Sequence, residues 1–211
     1  MAFGTNEQGR WDPSVSQQFM PEHVQRIIKK YREANPEMVE GGHNWYEKAN
    51  RIATKLGKGD THKGAGIIAA LSPQTGWSRN LMLAGEMTKT GTTRHTTDNV
   101  TKAQRILAGE HPEEVLGKGD GHKVLNFYRN IADPSNPHPV TIDRHSHDIS
   151  VGIPFRGKNK DAPKGEDLGL GAKGRYNHFV EAHRLAAGEL GIDIPNRVQA
   201  TTWVTHRGTV G

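Results

Sequence analysis

The chain has 211 residues, no cysteine and a formal net charge of +5, with a pI near 9.5 and a mean hydropathy of −0.74. The missing cysteine excludes disulfides, a thiol nucleophile, thiolate zinc sites and cysteine-held iron–sulfur clusters. The longest apolar stretch, GIIAALSP, is too short to cross a bilayer, and the opening MAFGTNEQGRWDP lacks the charged-then-apolar design of a signal peptide. The expectation is therefore a soluble, cytoplasmic protein with no membrane partner. The length suits one domain with a core of its own. With 25 glycines, 11 prolines and 33% hydrophobic residues, its polar loops must be long or numerous. The basic balance points to a polyanion, most simply nucleic acid, although mild basicity is common among proteins that bind none.

Residues 1–20 show no periodicity and read as a flexible arm, leaving 21–211 as a single helical domain. The segment PEHVQRIIKKYREAN predicts a helix with Val24, Ile27, Ile28 and Tyr31 on one face, entered at Pro21. HNWYEKANRIATKLG repeats the pattern with Trp45, Ala49, Ile52 and Ala53 and stops at Gly57. KGAGIIAALSP is apolar nearly all round and predicts a central buried helix. QTGWSRNLMLAGEMTKTG gives another. TTDNVTKAQRILAGEH has capping signals and an apolar face of Val100, Ala103, Ile106 and Leu107. PEEVLG makes a turn or short helix, and DGHKVLNFYRNIAD carries Val124, Phe127, Tyr128 and Ile131. PVTI is briefly extended, and DRHSHDISVG is read as helical.

Residues 153–174 are rich in Gly, Lys and Pro without an apolar period, and read as a basic loop. Its cations Lys158, Lys160, Lys164 and Lys173, with Arg175 beyond, could touch phosphate or simply face solvent. GRYNHFVEAHRLAAGELG resumes a helix through Tyr176, Phe179, Val180, His183 and Leu185. IPNRVQATTWVTHRG supplies the last. The pattern predicts an all-α fold with little or no strand.

LGKGDTHK at Leu56 recurs as LGKGDGHK at Leu116, an offset of 116 − 56 = 60 residues. Both copies are Gly-rich turns entering helices, and their surroundings do not match, so turn chemistry is the simpler reading. In the second copy Gly119 and Gly121 can bring backbone N–H groups to an anion at a helix N-terminus. An ordinary inter-helix connection fits the turn equally well.

Three pieces occur in order: ALSPQT, then GDGHKVLNF, then VTIDRH. Together they resemble the helix-hairpin-helix DNA glycosylase superfamily of the endonuclease III type, over roughly residues 40 to 150. The resemblance implies a helical bundle of two lobes with a central cleft and an enzyme that cleaves the N-glycosidic bond of a flipped base. It places the family's lysine nucleophile on Lys123, its helix asparagine on Asn126, its catalytic aspartate on Asp143 and the following histidine on His145. The glutamine that fills the gap left by a flipped base falls on Gln74, with Trp77 and Asn80 beside it. His122 and Arg144 flank the two catalytic positions, and the hairpin glycines are Gly119 and Gly121. Lys123 and Asp143 would then share one pocket. DNA is the implied partner, and neither cofactor nor metal is implied.

The chain departs from the family pattern at Gly117-Lys118, where Leu-Pro is usual, and at Asp120, where an apolar residue is usual. It resembles a divergent branch of the kind found in bacteriophage genomes, some of which are thought to process hypermodified bases. The terminal VQATTWVTHRG matches nothing in the standard glycosylases.

Other readings stay open. Asp143 in TIDRH is also a good helix cap. Trp45, Trp77 and Trp203 stand at spacings usual for core residues. His145 and His147 in HSHD could bind a metal, yet two positions apart they diverge on a helix. GLGAKG at Gly169–Gly174 fits a dinucleotide fingerprint only formally, because no strand precedes it. A non-catalytic DNA- or RNA-binding module is the alternative function, and a histidine–acid nuclease a third.

Overall fold

The computed structural model describes residues 12–117, 122–152 and 174–208. Among them are twelve α-helices and no strand, so the all-α class holds. No helix among the described residues is long and apolar enough to cross a membrane. The basic loop read over 153–174 lies outside the described residues, apart from Gly174. The chain divides into two compact units where the sequence suggested one domain: residues 1–43 with 142–210, and residues 44–141.

The first unit opens with α1 (Pro13–Gln18), inside the stretch read as an arm. The reason is local: Asp12 Oδ1 accepts from Ser14 N at 2.9 Å, and Pro13 takes the first helical position. Helix α2 (Met20–Arg32) buries Met20, His23, Val24, Ile27 and Ile28, the face predicted from its 3.6-residue period. Helix α3 (Pro36–His43) was not foreseen. Asn35 Oδ1 caps it from Met38 N at 2.8 Å, and its buried Gly41-Gly42 pair lets another backbone come close. A Cβ on Gly42 would lie 2.5 Å from Thr201 Cα, so only glycine fits.

The unit is completed by α10 (Arg144–Val151), α11 (Arg175–Glu189) and α12 (Pro195–Arg207). Its core joins Val24, Ile27 and Ile28 to Ile149, Ala182, Ala186, Ala187 and Val198. Leu185, read as part of the apolar face of α11, is instead 43% exposed. It sits two positions past His183, whereas the buried face continues at Ala186 and Ala187.

The second unit holds α4 (Trp45–Leu56), α5 (Thr61–Ala70), α6 (Trp77–Thr90), α7 (Thr97–Leu107), α8 (Pro112–Leu116) and α9 (His122–Ala132). Every residue of α5 from Gly64 to Ala70 is buried, as expected for a helix apolar all round. Asp60 caps it, accepting from Lys63 N at 2.9 Å, so the first LGKGD copy is a helix-entry turn. A Cβ on Gly64 would meet the α4 backbone 3.0 Å from Ala53 Cα, which explains the close α4–α5 packing. The second copy lies outside the described residues from Lys118 to Gly121. Asn50 Nδ2 donates to Ile131 O (2.8 Å) and Ala132 O (3.1 Å), tying α4 to the end of α9.

Candidate active site around Asp143

The run leading into Asp143 is fixed from both sides. Val140 and Ile142 are buried, and Ile142 N–H donates to the Tyr176 hydroxyl at 3.1 Å. Asp143 then turns extended (φ −103°) and caps α10. Its Oδ1 accepts from Ser146 N at 2.8 Å and from Ser146 Oγ at 3.1 Å, while its Oδ2 accepts from the Trp203 indole N–H at 3.1 Å. The carboxylate is half-buried with both oxygens oriented. The helix N-terminus behind it favours negative charge.

The surroundings are cationic. Arg144 is exposed. The ring of half-buried His145 lies 6.4 Å from that of Trp203 and 5.3 Å from that of His206. The Arg207 guanidinium sits over the Trp203 ring at 4.9 Å, a cation–π geometry. Burial holds His145 below its ordinary pKa, opposed by Asp143 and reinforced by His206, Arg144 and Arg207.

The interior of this unit is unusually polar. Arg175, 1% exposed, donates from Nη2 to His147 Nε2 at 2.8 Å. A guanidinium has no acceptor, so His147 carries its proton on Nδ1, on the side of Asp148 Oδ1 at 3.4 Å. His23 Nδ1 and His178 Nε2 share a hydrogen bond of 3.0 Å. His183 Nδ1 donates to Phe179 O at 2.8 Å, and its Nε2 is buried with no hydrogen-bond partner among the described residues.

Burial is the largest cause that depresses all four imidazoles: His23 to about 3, and His147, His178 and His183 to about 4. Arg175 deepens the shift at His147 and His178, and His178 deepens it at His23. They are neutral at pH 7. His145 and His147 diverge as their spacing requires, one toward Trp203 and the other toward Arg175. No group of three or more His, Asp or Glu among the described residues is arranged to hold a metal.

The other expected site residues lie in the second unit or outside the described residues. Lys123 and Asn126 are half-buried on α9, and His122 opens that helix. Lys123 therefore belongs to one unit and Asp143 to the other. Gly119 and Gly121 lie outside the described residues. Gln74 is exposed between α5 and α6 at φ +60°, one of two non-glycine residues in the left-handed region among those described. That conformation costs of order 1 kcal/mol or more and presents the side chain at the tip of the connection.

Trp77 is half-buried. Its ring lies 4.8 Å from Trp45 and 6.5 Å from Phe127, in an aromatic cluster that includes buried Tyr46. Asn80 needs correction as a ligand contact. It is 2% exposed, and its Nδ2 donates to Ile68 O at 3.0 Å, tying α6 to α5.

Sequence reasoning missed Trp203, His206 and Arg207 as neighbours of Asp143. Their i, i+3, i+4 spacing shows that they share a helix face. Nothing local shows which element that face meets.

No curated protein and no solved structure matches the chain. Residues 13–210 match the model of a family described as a family of unknown function (DUF7178), and the chain, matched over nearly its whole length, belongs to that family.

Proposed function

We propose that the protein is a DNA-base-acting enzyme, a glycosylase of the helix-hairpin-helix kind or a relative that processes hypermodified bases. One observation carries the reading. Asp143 is a half-buried carboxylate with both oxygens held, at a helix N-terminus and among Arg144, His145, His206 and Arg207. A fixed negative charge of this kind stabilises the positive sugar that forms as the C1′–N bond breaks and the base departs with the electron pair. Water then adds to C1′ and gives up a proton.

The resemblance also implies a lyase variant, in which a lysine amine replaces water at C1′ and forms an imine after ring opening; Lys123 is the residue on which the family's lysine falls. The target base must leave the stack for either route. Gln74, held exposed at a strained tip, suits insertion into the gap.

The second reading, a non-catalytic DNA- or RNA-binding module, has one observation in its favour. Capping α10 and receiving the Trp203 N–H already give both Asp143 oxygens a structural use.

The test incubates the protein with modified and unmodified phage DNA and follows free bases and nucleosides by mass spectrometry, with borohydride added in a parallel reaction. Released base supports the enzyme, and a trapped adduct that Lys123→Gln abolishes identifies the lyase route. DNA binding without any released or altered base leaves the binding module.

A further inference from the structure

We propose that the last turn of α12 and the first turn of α10 together form a phosphate-binding patch, in which Arg207, His206 and Arg144 hold the backbone of a nucleic-acid strand whose sugar lies at Asp143. The patch deepens the DNA reading of the Asp143 site and rests on it.

Two guanidiniums and two imidazoles meet there from two helices distant in sequence. The His145 and His206 rings are 5.3 Å apart. The Arg207 guanidinium carbon lies over the Trp203 ring at 4.9 Å from its centroid, and Trp203 in turn donates to Asp143 Oδ2. Arg144, His206 and Arg207 are exposed, so their charges are open to a ligand. Among the described residues none of the three forms an ion pair. Two guanidiniums against one carboxylate leave the patch positive at neutral pH.

The carboxylate at the centre argues against a free anion as the ligand, since Asp143 repels one that settles on it. It suits a phosphodiester strand, whose phosphates can rest on the rim while the sugar between them faces the carboxylate. The cation–π contact with Trp203 restrains the Arg207 guanidinium, so less freedom is lost when its planar fork meets a phosphate. The terminal VQATTWVTHRG segment thereby gains a role: Trp203 orients the carboxylate and the adjoining turn grips the strand.

The experiment measures binding of the full chain to a fluorescein-labelled duplex carrying one tetrahydrofuran abasic analogue, across a salt series. Parent, Arg207→Gln, the His206→Gln/Arg207→Gln double variant and Lys29→Gln, an exposed lysine on α2, are compared. All changed residues are exposed, and circular dichroism melts verify that each variant is folded.

The expected result is a loss of about tenfold or more in affinity at low salt for the double variant. Its log–log salt slope should be shallower by about 0.9 for each phosphate that the variant no longer neutralises. Lys29→Gln should track the parent. Unchanged affinity and slope in the double variant overturn the patch, and so does an equal loss in Lys29→Gln, which would reduce the effect to net charge. A parent that does not bind the duplex overturns both the patch and the DNA reading. Binding through the patch with no base ever released overturns only the enzymatic reading.

Discussion

Lowering the pH from about 7 to about 5 is expected to remove much of the stability of the first unit. The perturbation acts on His23, His147, His178 and His183, which are buried and neutral, with pKa values of about 3, 4, 4 and 4. In the unfolded chain each imidazole titrates near its ordinary value of about 6.5. Between those limits the unfolded state binds more protons than the folded state, so stability rises with pH and is lost as pH falls from about 6.5 toward about 4.

One unit of pKa difference is worth about 1.4 kcal/mol. Over the two-unit drop each imidazole therefore withdraws about 2 kcal/mol, and four together withdraw about 7 to 8 kcal/mol. A domain has roughly 5–15 kcal/mol in total, so the protein should be close to its unfolding threshold by about pH 5. Urea melts followed by circular dichroism at several pH values measure the slope directly. His183→Phe removes one titrating group from a site with no Nε2 partner among the described residues, so it should flatten the slope by about one histidine's share. A urea midpoint that does not move between pH 7 and pH 5 would refute the reasoning, because it would mean that the buried imidazoles are already charged or already solvated.

Trp203→Phe keeps the ring and removes the N–H that holds Asp143 Oδ2. Base release should slow by about tenfold to a hundredfold with KM little changed, whereas a purely structural tryptophan would alter the melt and leave the surviving rate per folded molecule intact. Gln74→Ala should leave thermal stability within about 0.5 kcal/mol, because the side chain is exposed and the strained backbone remains. The same substitution should weaken binding to duplex containing an abasic analogue, and binding equal to the parent's would remove Gln74 from the interface.

The fold was legible wherever apolar spacing was strong. Val24, Ile27 and Ile28 announce α2, and the uninterrupted GIIAAL announces the buried α5, because burial of a helix face leaves a 3.6-residue imprint. Helix α3 left no such imprint. Its Gly41-Gly42 pair is poor helix sequence, and it is there because Gly42 lies against Thr201, a contact between segments far apart in the chain.

The site was half legible. Asp143 could be read as a cap from TIDRH alone, and as a candidate catalytic group only through the family resemblance, and the structure gives it the capping bond to Ser146 N. Trp203 could not be read as its partner, since the indole reaches the carboxylate across sixty positions of sequence. Asn80 misled for the opposite reason. A polar residue beside an exposed loop reads as a ligand contact, whereas its amide serves a carbonyl at the end of α5. His183 was read on the face of its helix and is buried, whereas His23, His147 and His178 hid, because a polar residue on a helix resembles a surface residue until its neighbours are known.

The most direct test of the central claim is mass spectrometry of free bases released from phage DNA by the parent and by Asp143→Asn. The substitution keeps the size of the side chain and an oxygen to cap α10, and removes the negative charge. If Asp143 stabilises the sugar cation, the parent releases base, and the variant is slower by about 10² to 10³ while binding DNA with nearly the parent's affinity. Equal release by the two proteins, or no release by the parent on any DNA together with unfolding of the variant, would contradict the account and leave Asp143 as a helix cap.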